Sequence, residues 1–351
     1  MLIEVIEMLT ERQLLILEAI IQEYTTVGKP VGSKSLGEQL PMQVSSATIR
    51  NEMVALEHLG FINKEHSSSG RVPTLKGYRY YIDNLVKPDV VNQEQLEDIR
   101  SSFGNNFYKI DEIVAESARI LSDMTNYTAI AFKPETKNIK FQGFKVLPVG
   151  NQQLMMMLVT SDGNIESQLF NVPRGLGGDE IEAVIRVIND RIVGLPLDQV
   201  IERLHETIPL LLHYVRRPVG FLDIFGNILE RSAREQFFVS GKLNLLNFVG
   251  EADVNQIKDL YSLIERSEDI SNLIGNSSGT IQVKIGDELT NSSLSNYSLI
   301  STTYDVAQHG QGLIALLGPT NMPYSKMIGL VQTFQEELAR KLLDYYSFYD
   351  D

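Results

Sequence analysis

Residues 44–51 combine small, polar and basic side chains of the kinds that read the edges of DNA base pairs. An arginine such as Arg50 can donate two hydrogen bonds to one guanine, and an asparagine such as Asn51 can pair in the same way with adenine. Ala47 is small enough to contact the methyl group of a thymine. Sequence-specific DNA binding is therefore the chemistry to expect here, provided that these side chains share an exposed helical surface.

The apolar residues of the same segment predict that surface. Ile49, Met53 and Leu56 recur at the spacing of one helical face. At 100° per residue, Ala47 and Asn51 then point away from the buried face, and the arginine lies on its flank. We therefore expect a recognition helix whose outward N-terminal half is small, polar and nearly uncharged.

The segments on either side of this helix have the layout of a winged helix-turn-helix. Thr10–Gln13 is a capping box that opens a first helix, and Ser33 caps a shorter second helix that ends at Leu40. After the third helix, Phe61–Lys64 and Arg71–Thr74 are strand-like and flank a tip rich in serine and glycine. Three helices followed by a hairpin predict this DNA-binding fold.

Further side chains of the predicted domain suit the phosphate backbone. Hydroxyl groups near helix N-termini can donate to phosphate oxygens. Lys64 and Arg71 flank the predicted wing tip, and Lys76 and Arg79 follow it. The candidate DNA-binding residues are Ser33, Ser45, Ser46, Ala47, Thr48, Arg50, Asn51, Lys64, Arg71, Thr74, Lys76 and Arg79.

The charge distribution permits DNA binding only at this end of the chain. The 351 residues carry 31 Lys and Arg against 45 Asp and Glu, a net charge of −14. Residues 24–87 nevertheless hold eight basic and five acidic side chains, whereas residues 88–351 hold 22 and 35. Binding to phosphate needs a local basic face, and an acidic remainder repels DNA elsewhere.

Composition excludes several other classes of protein. The chain is 43% apolar and contains no cysteine, so it can bury a core but cannot form disulfides, iron–sulfur clusters or cysteine-ligated zinc sites. The longest apolar runs fall far short of the roughly 18 residues of a membrane span, and glutamates interrupt the apolar start, as no signal peptide would. A cytoplasmic protein of two or three domains is expected, with no membrane partner.

Short motifs that resemble enzyme signatures do not indicate an enzyme in this chain. Gly177-Gly-Asp-Glu-Ile181 matches a diguanylate cyclase signature, but apolar residues follow at helical spacing, so Asp179 is read as a helix cap. The five histidines include no close i, i+4 pair, and no phosphate-binding loop is present. Met155–Met157 is read as a buried strand. We therefore expect no catalysis, no cofactor and no metal.

Beyond residue 88 the pattern predicts an α+β region. A polar linker at 92–98 and an amphipathic helix at 111–124 precede strand-like runs at 128–132, 139–148, 153–160 and 165–172. Helical segments at 179–193, 197–215 and 251–265 follow. Strands at 280–286, 297–304 and 312–317 then precede a long helix at 324–346. Strands on both sides of a helical middle predict one α+β domain that carries an insertion.

Specific motifs across the chain resemble the heat-inducible transcription repressor HrcA family. In the N-terminal part they are Val44-Ser-Ser-Ala-Thr-Ile-Arg-Asn-Glu-Met53, Ser69-Gly-Arg-Val-Pro-Thr74 and Gly77-Tyr-Arg-Tyr-Tyr81. In the remainder they are Gly241-Lys-Leu-Asn-Leu-Leu-Asn247, Val283-Lys-Ile-Gly286, Asn296-Tyr-Ser298, Gly312-Leu-Ile314, Leu317-Gly-Pro-Thr320 and Met322-Pro-Tyr324.

This resemblance implies a fold and a function. It implies an α+β protein with an N-terminal winged helix-turn-helix at residues 1–88, a GAF-like domain at 89–195 and 276–351, and a dimerisation domain inserted at 196–275. It also implies a homodimeric repressor of heat-shock chaperone operons that binds an inverted-repeat operator in double-stranded DNA, is released on heat stress, and is reactivated by the GroE chaperonin. A small-molecule-responsive transcription factor that uses the GAF-like pocket remains the alternative.

Overall fold

The structure is a computed structural model that describes residues 9–41, 44–65, 70–104, 109–135, 139–150, 153–161, 163, 165–171, 178–211, 228, 237–248, 254–265, 267–274 and 280–349. The described residues form helices and antiparallel sheets, as expected for an α+β protein. Among the helices within these ranges, none combines the length and the hydropathy that a membrane span requires.

The N-terminal elements form a winged helix-turn-helix. Thr10 and Gln13 make the predicted capping box, and Gly28 ends the first helix in the left-handed conformation, with φ of 67°. The two strands pair antiparallel as a short hairpin, the wing. The elements are α1 (Glu11–Val27), α2 (Ser33–Gln39), α3 (Ser46–His58), β1 (Ile62–Lys64), β2 (Arg71–Pro73) and α4 (Leu75–Asn84).

In the ranges that the structure describes, the rest of the chain has seven further α-helices with defined bounds, four short 3-10 helices and eight strands. In chain order the α-helices and strands are α5 (Gln93–Ser102), α6 (Ile110–Thr125), β3 (Thr128–Glu135), β4 (Phe141–Gly150), β5 (Gln153–Thr160), β6 (Ile165–Asn171), α7 (Gly178–Ile192), α8 (Leu197–Leu211), β7 (Phe237–Ser240), α9 (Val254–Glu265), α10 (Ser267–Ile274), β8 (Gln282–Ile285), β9 (Tyr297–Asp305), β10 (Gln311–Pro319) and α11 (Tyr324–Tyr349).

These elements divide between two compact units. The first unit is Met1–Pro134, Phe237–Ala307 and Gln311–Asp351, and it contains the winged helix together with a C-terminal α/β domain. That domain has a five-stranded sheet in the order β7-β3-β10-β9-β8. The second unit is Glu135–Gln236 with Gln308–Gly310.

The division between the two compact units does not coincide with the bounds 196–275 that are expected for the inserted domain. Strands β4, β5 and β6 form a separate three-stranded sheet instead of extending the main one. Conversely, β7 pairs with β3, and α9 and α10 bury apolar side chains in the core beneath the main sheet. Strand-like periodicity identified these strands except β7, and it carried no information about which sheet each one joins.

The second unit has one buried and one exposed sheet face. Met156 and Phe170 lie in a core with α7, whose own side chains include Ile188. Met155 and Met157 point to the other face and are only half-buried, so the reading of a wholly buried methionine strand is wrong. Residues 178–192 are helical, as the argument against the diguanylate cyclase signature predicted. Asp179 is the second residue of this helix and not its N-cap, so its predicted role as a cap is wrong.

Candidate nucleic-acid interface

Helix α3 is shaped by a cap at its start and by one apolar face. The Oγ of Ser45 accepts a hydrogen bond from the amide of Thr48 at 3.1 Å, so Ser45 is the N-cap. Ile49, Met53 and Leu56 are buried in the core of the winged helix, as their spacing predicts. The predicted orientation of the helix is therefore confirmed.

The opposite surface of α3 is exposed. Ser46, Ala47, Arg50 and Asn51 are all exposed, and Thr48 is half-buried. Within the part of the chain that the structure describes, the side chains of Arg50 and Asn51 make no hydrogen bond or ion pair with protein groups. Both side chains can therefore offer all their donors to an external partner. We call Ala47, Arg50 and Asn51 the recognition face.

Two acidic side chains on the flanks of α3 are neutralised by arginines from other elements. On one flank, Glu52 accepts from Arg12 at 3.3 Å and from Gln13 at 3.2 Å, both on α1. On the other flank, Glu57 pairs with Arg71 of β2 at 2.7 Å. These pairs hold α3 against its neighbours and offset negative charge close to the recognition face.

Arg71 faces the protein and not the solvent. It is only 8% exposed, and its backbone exchanges two hydrogen bonds with Val31, at 2.8 and 2.9 Å. A Cβ on the preceding Gly70 would lie 2.3 Å from the carbonyl oxygen of Val31, so a glycine is needed for this approach. Arg71 therefore anchors the wing to α3, and its contact with DNA stays a prediction.

Lys64 lies on the exposed side of the wing. Lys64 is exposed and stands opposite Arg71 in the register of the hairpin. The serines of the predicted tip, at 67–69, lie outside the described residues. Lys64 is therefore the basic wing residue whose position fits a phosphate contact.

Thr74 and Lys76 have partners within the winged helix. Thr74 is the N-cap of α4, because its hydroxyl accepts from the amide of Gly77 at 3.1 Å while donating to the carbonyl of Gly60 at 2.7 Å. Lys76 donates to the carbonyl of Leu59 at 2.9 Å, and its ammonium lies 4.7 Å from the centroid of the Phe61 ring. Both side chains stabilise the connection between α3 and α4.

Arg79 points towards the α/β domain. Its guanidinium donates to both carboxylate oxygens of Asp83, to the carbonyl of Val283 at 2.7 Å and to the carboxylate of Glu288 at 3.1 Å. The described contact of Arg79 is therefore one between domains, and its contact with the DNA backbone stays a prediction. Sequence periodicity could not reveal it, since its partners lie more than 200 residues away.

Ser33 differs slightly from its predicted role. Gly32 occupies the N-cap position of α2 without a side-chain hydrogen bond, and Ser33 is the first helical residue, half-buried. Its hydroxyl therefore does not cap the helix. The sequence analysis also missed the structural roles of Arg12, Glu52 and Glu57. Two glutamates on a helix that is predicted to face DNA were a signal that basic side chains nearby neutralise them.

The described residues provide no group suited to a metal. Clusters of three or more His, Asp or Glu side chains that could hold an ion are absent from these ranges. Burial raises the pKa of Tyr78 and of Tyr324 above the ordinary tyrosine value. Both phenols are neutral at physiological pH, as ordinary tyrosines are, and the Tyr324 hydroxyl donates to the carbonyl of Thr320 at 2.8 Å.

Comparisons with known proteins agree with this geometry. The family model for the HrcA winged helix-turn-helix transcription repressor DNA-binding domain matches residues 8–84, and the model for the HrcA protein C-terminal domain matches residues 111–328. A solved structure described as a hypothetical protein has a TM-score of 0.60 at 22% identity, covering 96% of this chain and 99% of that one. This likeness concerns the fold alone.

Curated relatives match over nearly their full length. The heat-inducible transcription repressor HrcA of Ligilactobacillus salivarius is 56% identical, covering 98% of this chain and 100% of the relative. The repressor of the same description from Enterococcus faecalis is 46% identical, covering 97% and 99%. The chain belongs to the HrcA family of heat-inducible transcription repressors, which bind DNA through the winged helix and are not enzymes.

Proposed function

We propose that the protein binds an inverted-repeat operator as a cytoplasmic homodimer, with one α3 helix in the major groove of each half-site. The observation that carries this proposal is the recognition face: Arg50 and Asn51 are exposed, and protein groups in the described ranges do not occupy their donors. Two-fold symmetry of the protein would match the two-fold symmetry of the operator.

Base reading is assigned to the recognition face. Arg50 would pair with guanine, Asn51 with adenine, and Ala47 would contact a thymine methyl. Ser45, Ser46 and Thr48 lie at the N-terminus of α3, where hydroxyl and amide groups suit phosphate oxygens. Lys64 adds a phosphate contact from the wing.

The second unit would supply the dimer contact. Leu147 is 50% exposed and Leu169 is 47% exposed, and in the register of the sheet both stand beside Met155. A contiguous apolar sheet face of this kind is usually covered by a partner. We therefore assign the dimerisation role to the insertion bounded by residues 135 and 236, in place of 196–275.

The α/β domain is proposed to be GAF-like and to couple temperature to DNA binding. Folded domains are stable by only a few kcal/mol, so moderate heating can shift a DNA-competent population. In this proposal the GroE chaperonin restores the competent form, and the controlled genes are heat-shock operons. The family resemblance and the heat-inducible behaviour named for the relatives support this step.

The proposal is tested by titrating the purified full-length protein on an inverted-repeat duplex and on a scrambled duplex. Each titration is run at several salt concentrations, below and above the heat-shock temperature, with and without chaperonin. We expect a large preference for the operator that falls on heating and recovers with chaperonin. Equal and weak binding to both duplexes by a confirmed dimer would contradict the operator assignment.

A further inference from the structure

Helix α4 is the connection between the DNA-binding module and the α/β domain, and Arg79 is its central contact. The Arg79 side chain is 30% exposed, and three of its nitrogens donate four hydrogen bonds. Two go to Asp83 on α4 itself. The other two reach the α/β domain, at the carbonyl of Val283 on β8 and at the carboxylate of Glu288. The guanidinium thus bridges the two domains within the first compact unit.

The first turn of α4 also packs closely against the α/β domain. The rings of Tyr78 and Tyr324 lie 5.7 Å apart between centroids, and both residues are buried. A Cβ on Gly286 would lie 2.9 Å from the Cδ1 of Leu75, so the main chain of the α/β domain approaches α4 as closely as a glycine allows.

The chain that follows α4 is also attached to the α/β domain. The amide of Asp89 donates to the carbonyl of Ser325 at 3.0 Å, and the hydroxyl of Ser325 donates to the Asp89 carboxylate at 2.7 Å. A Cβ on Gly329 would lie 2.0 Å from the carbonyl oxygen of Asp89. The segment from α4 to residue 89 is therefore held along its length and cannot act as a flexible tether.

We propose that Arg79 is a positioning residue for operator binding: by fixing α4 to β8 and Glu288, it sets the direction of α3 relative to the α/β domain of the same protomer. This inference rests on the proposed homodimer. If the winged helix is fixed to the α/β domain, each recognition helix moves together with that domain and not independently, which narrows the range of half-site spacings that the dimer can match. A loosened winged helix would lower the effective concentration of the second recognition helix at the second half-site.

Arginine is the residue type that this role requires. Its planar fork serves several acceptors at once, whereas the ammonium of lysine is a compact point charge. Arg79→Lys therefore keeps the positive charge while removing the bridge. A role in phosphate binding would tolerate this substitution, so the variant separates the two roles.

The experiment compares three kinds of duplex: the full inverted repeat, a single half-site, and repeats whose spacer is lengthened or shortened by a few base pairs. The full-length protein, Arg79→Lys and Glu288→Ala are titrated on each. Arg119→Lys is the matched control, because Arg119 also bridges carboxylates, those of Glu116 and Asp123, but all three lie on α6.

For Arg79→Lys we expect about tenfold weaker binding to the full repeat, unchanged binding to the half-site, and a smaller penalty for altered spacers. Glu288→Ala should act in the same direction, and Arg119→Lys should behave as the unmodified protein. Nearly unchanged binding of Arg79→Lys to both duplexes would fit a phosphate contact, and equal losses on full and half-sites would fit a general loss of DNA-competent protein; either result would overturn the proposal.

Glu288→Ala keeps the proposal testable even if Arg79→Lys fails to fold. If Arg79 served DNA directly, removing Glu288 would release it and strengthen binding, which is the opposite sign to the one we expect. Unchanged spacer penalties in both variants would also overturn the proposal. Failure of the dimer assignment has a separate signature: the unmodified protein itself would bind full and half-sites equally.

Discussion

The recognition face and the side of the winged helix formed by β2 and α4 carry similar residue types but opposite arrangements. On α3, Arg50 and Asn51 extend into solvent, with their donors unoccupied by groups of the described residues. On β2 and α4, Arg71 and Arg79 are turned into the protein and pair with Glu57 and Glu288. Both sides contain arginines within a motif that binds DNA, but only on α3 are all the donors of the arginine unoccupied by groups of the described residues.

The difference shows that the partner of a basic side chain, and not its place in a motif, decides its role. A guanidinium that already donates to a carboxylate has fewer free donors, and less uncompensated charge, to offer a phosphate. Substitutions on the β2 and α4 side should therefore change stability or domain position first, whereas substitutions on the recognition face should change DNA discrimination with little effect on folding. Four predictions test this contrast.

The largest effect is expected at the wing anchor. Arg71→Met removes the partner of the Glu57 carboxylate, which lies beside the buried position of residue 71. We expect the free energy of unfolding to fall by about 2–3 kcal/mol. Native-state hydrogen exchange of the α3 and wing amides measures this loss in the full chain.

The matched double variant Glu57→Gln/Arg71→Met removes both charges and should recover much of that stability. If Arg71→Met had normal hydrogen exchange but a lower salt dependence of operator binding, the result would indicate that Arg71 contacts DNA.

Arg50→Ala should lose about 1–3 kcal/mol of discrimination between operator and scrambled DNA, because each bidentate base contact contributes this much. Its unfolding free energy should change by less than about 0.5 kcal/mol, as for other exposed positions without partners. Parallel titrations at matched salt measure the first quantity, and urea unfolding measures the second. Binding equal to that of the unmodified protein would show that α3 presents another face to the DNA.

The N-caps of α3 and α4 allow the two sides of the winged helix to be compared by the same kind of substitution. Ser45→Ala and Thr74→Ala each remove an N-cap, and each should lower stability by about 1 kcal/mol. Only Ser45→Ala should also weaken operator binding, because Ser45 caps the recognition helix at its DNA-facing end. Asn92→Ala removes the cap of α5 in the α/β domain and serves as the control. An equal loss of operator affinity in all three variants would indicate a general effect of instability.

Lys64→Ala is expected to have the smallest effect. Loss of one phosphate contact should weaken binding to all sequences alike and reduce the slope of log affinity against log salt by about 0.9. Lys258→Ala, which removes an exposed lysine from α9, should leave the slope unchanged. A loss confined to the operator would instead make Lys64 a base-reading residue.

Local pattern determined much of this protein. The capping box at Thr10, the buried face of α3 and the exposure of Arg50 follow from periodicity and capping chemistry, because helices express these rules within a few residues. The long terminal helix and every strand except β7 could be predicted for the same reason, whereas α5 occupies the polar residues that were expected to form a linker. The motif spacing also identified the family that the comparisons then established.

The tertiary structure decided which charges meet and which strands share a sheet. Glu57 and Arg71 are 14 positions apart, and Arg79 finds Val283 and Glu288 across more than 200 residues. Strands β4–β6 have the same alternating pattern whether they join the main sheet or form their own. Ion pairs and sheet membership depend on distances in the folded chain, which a one-dimensional pattern does not contain.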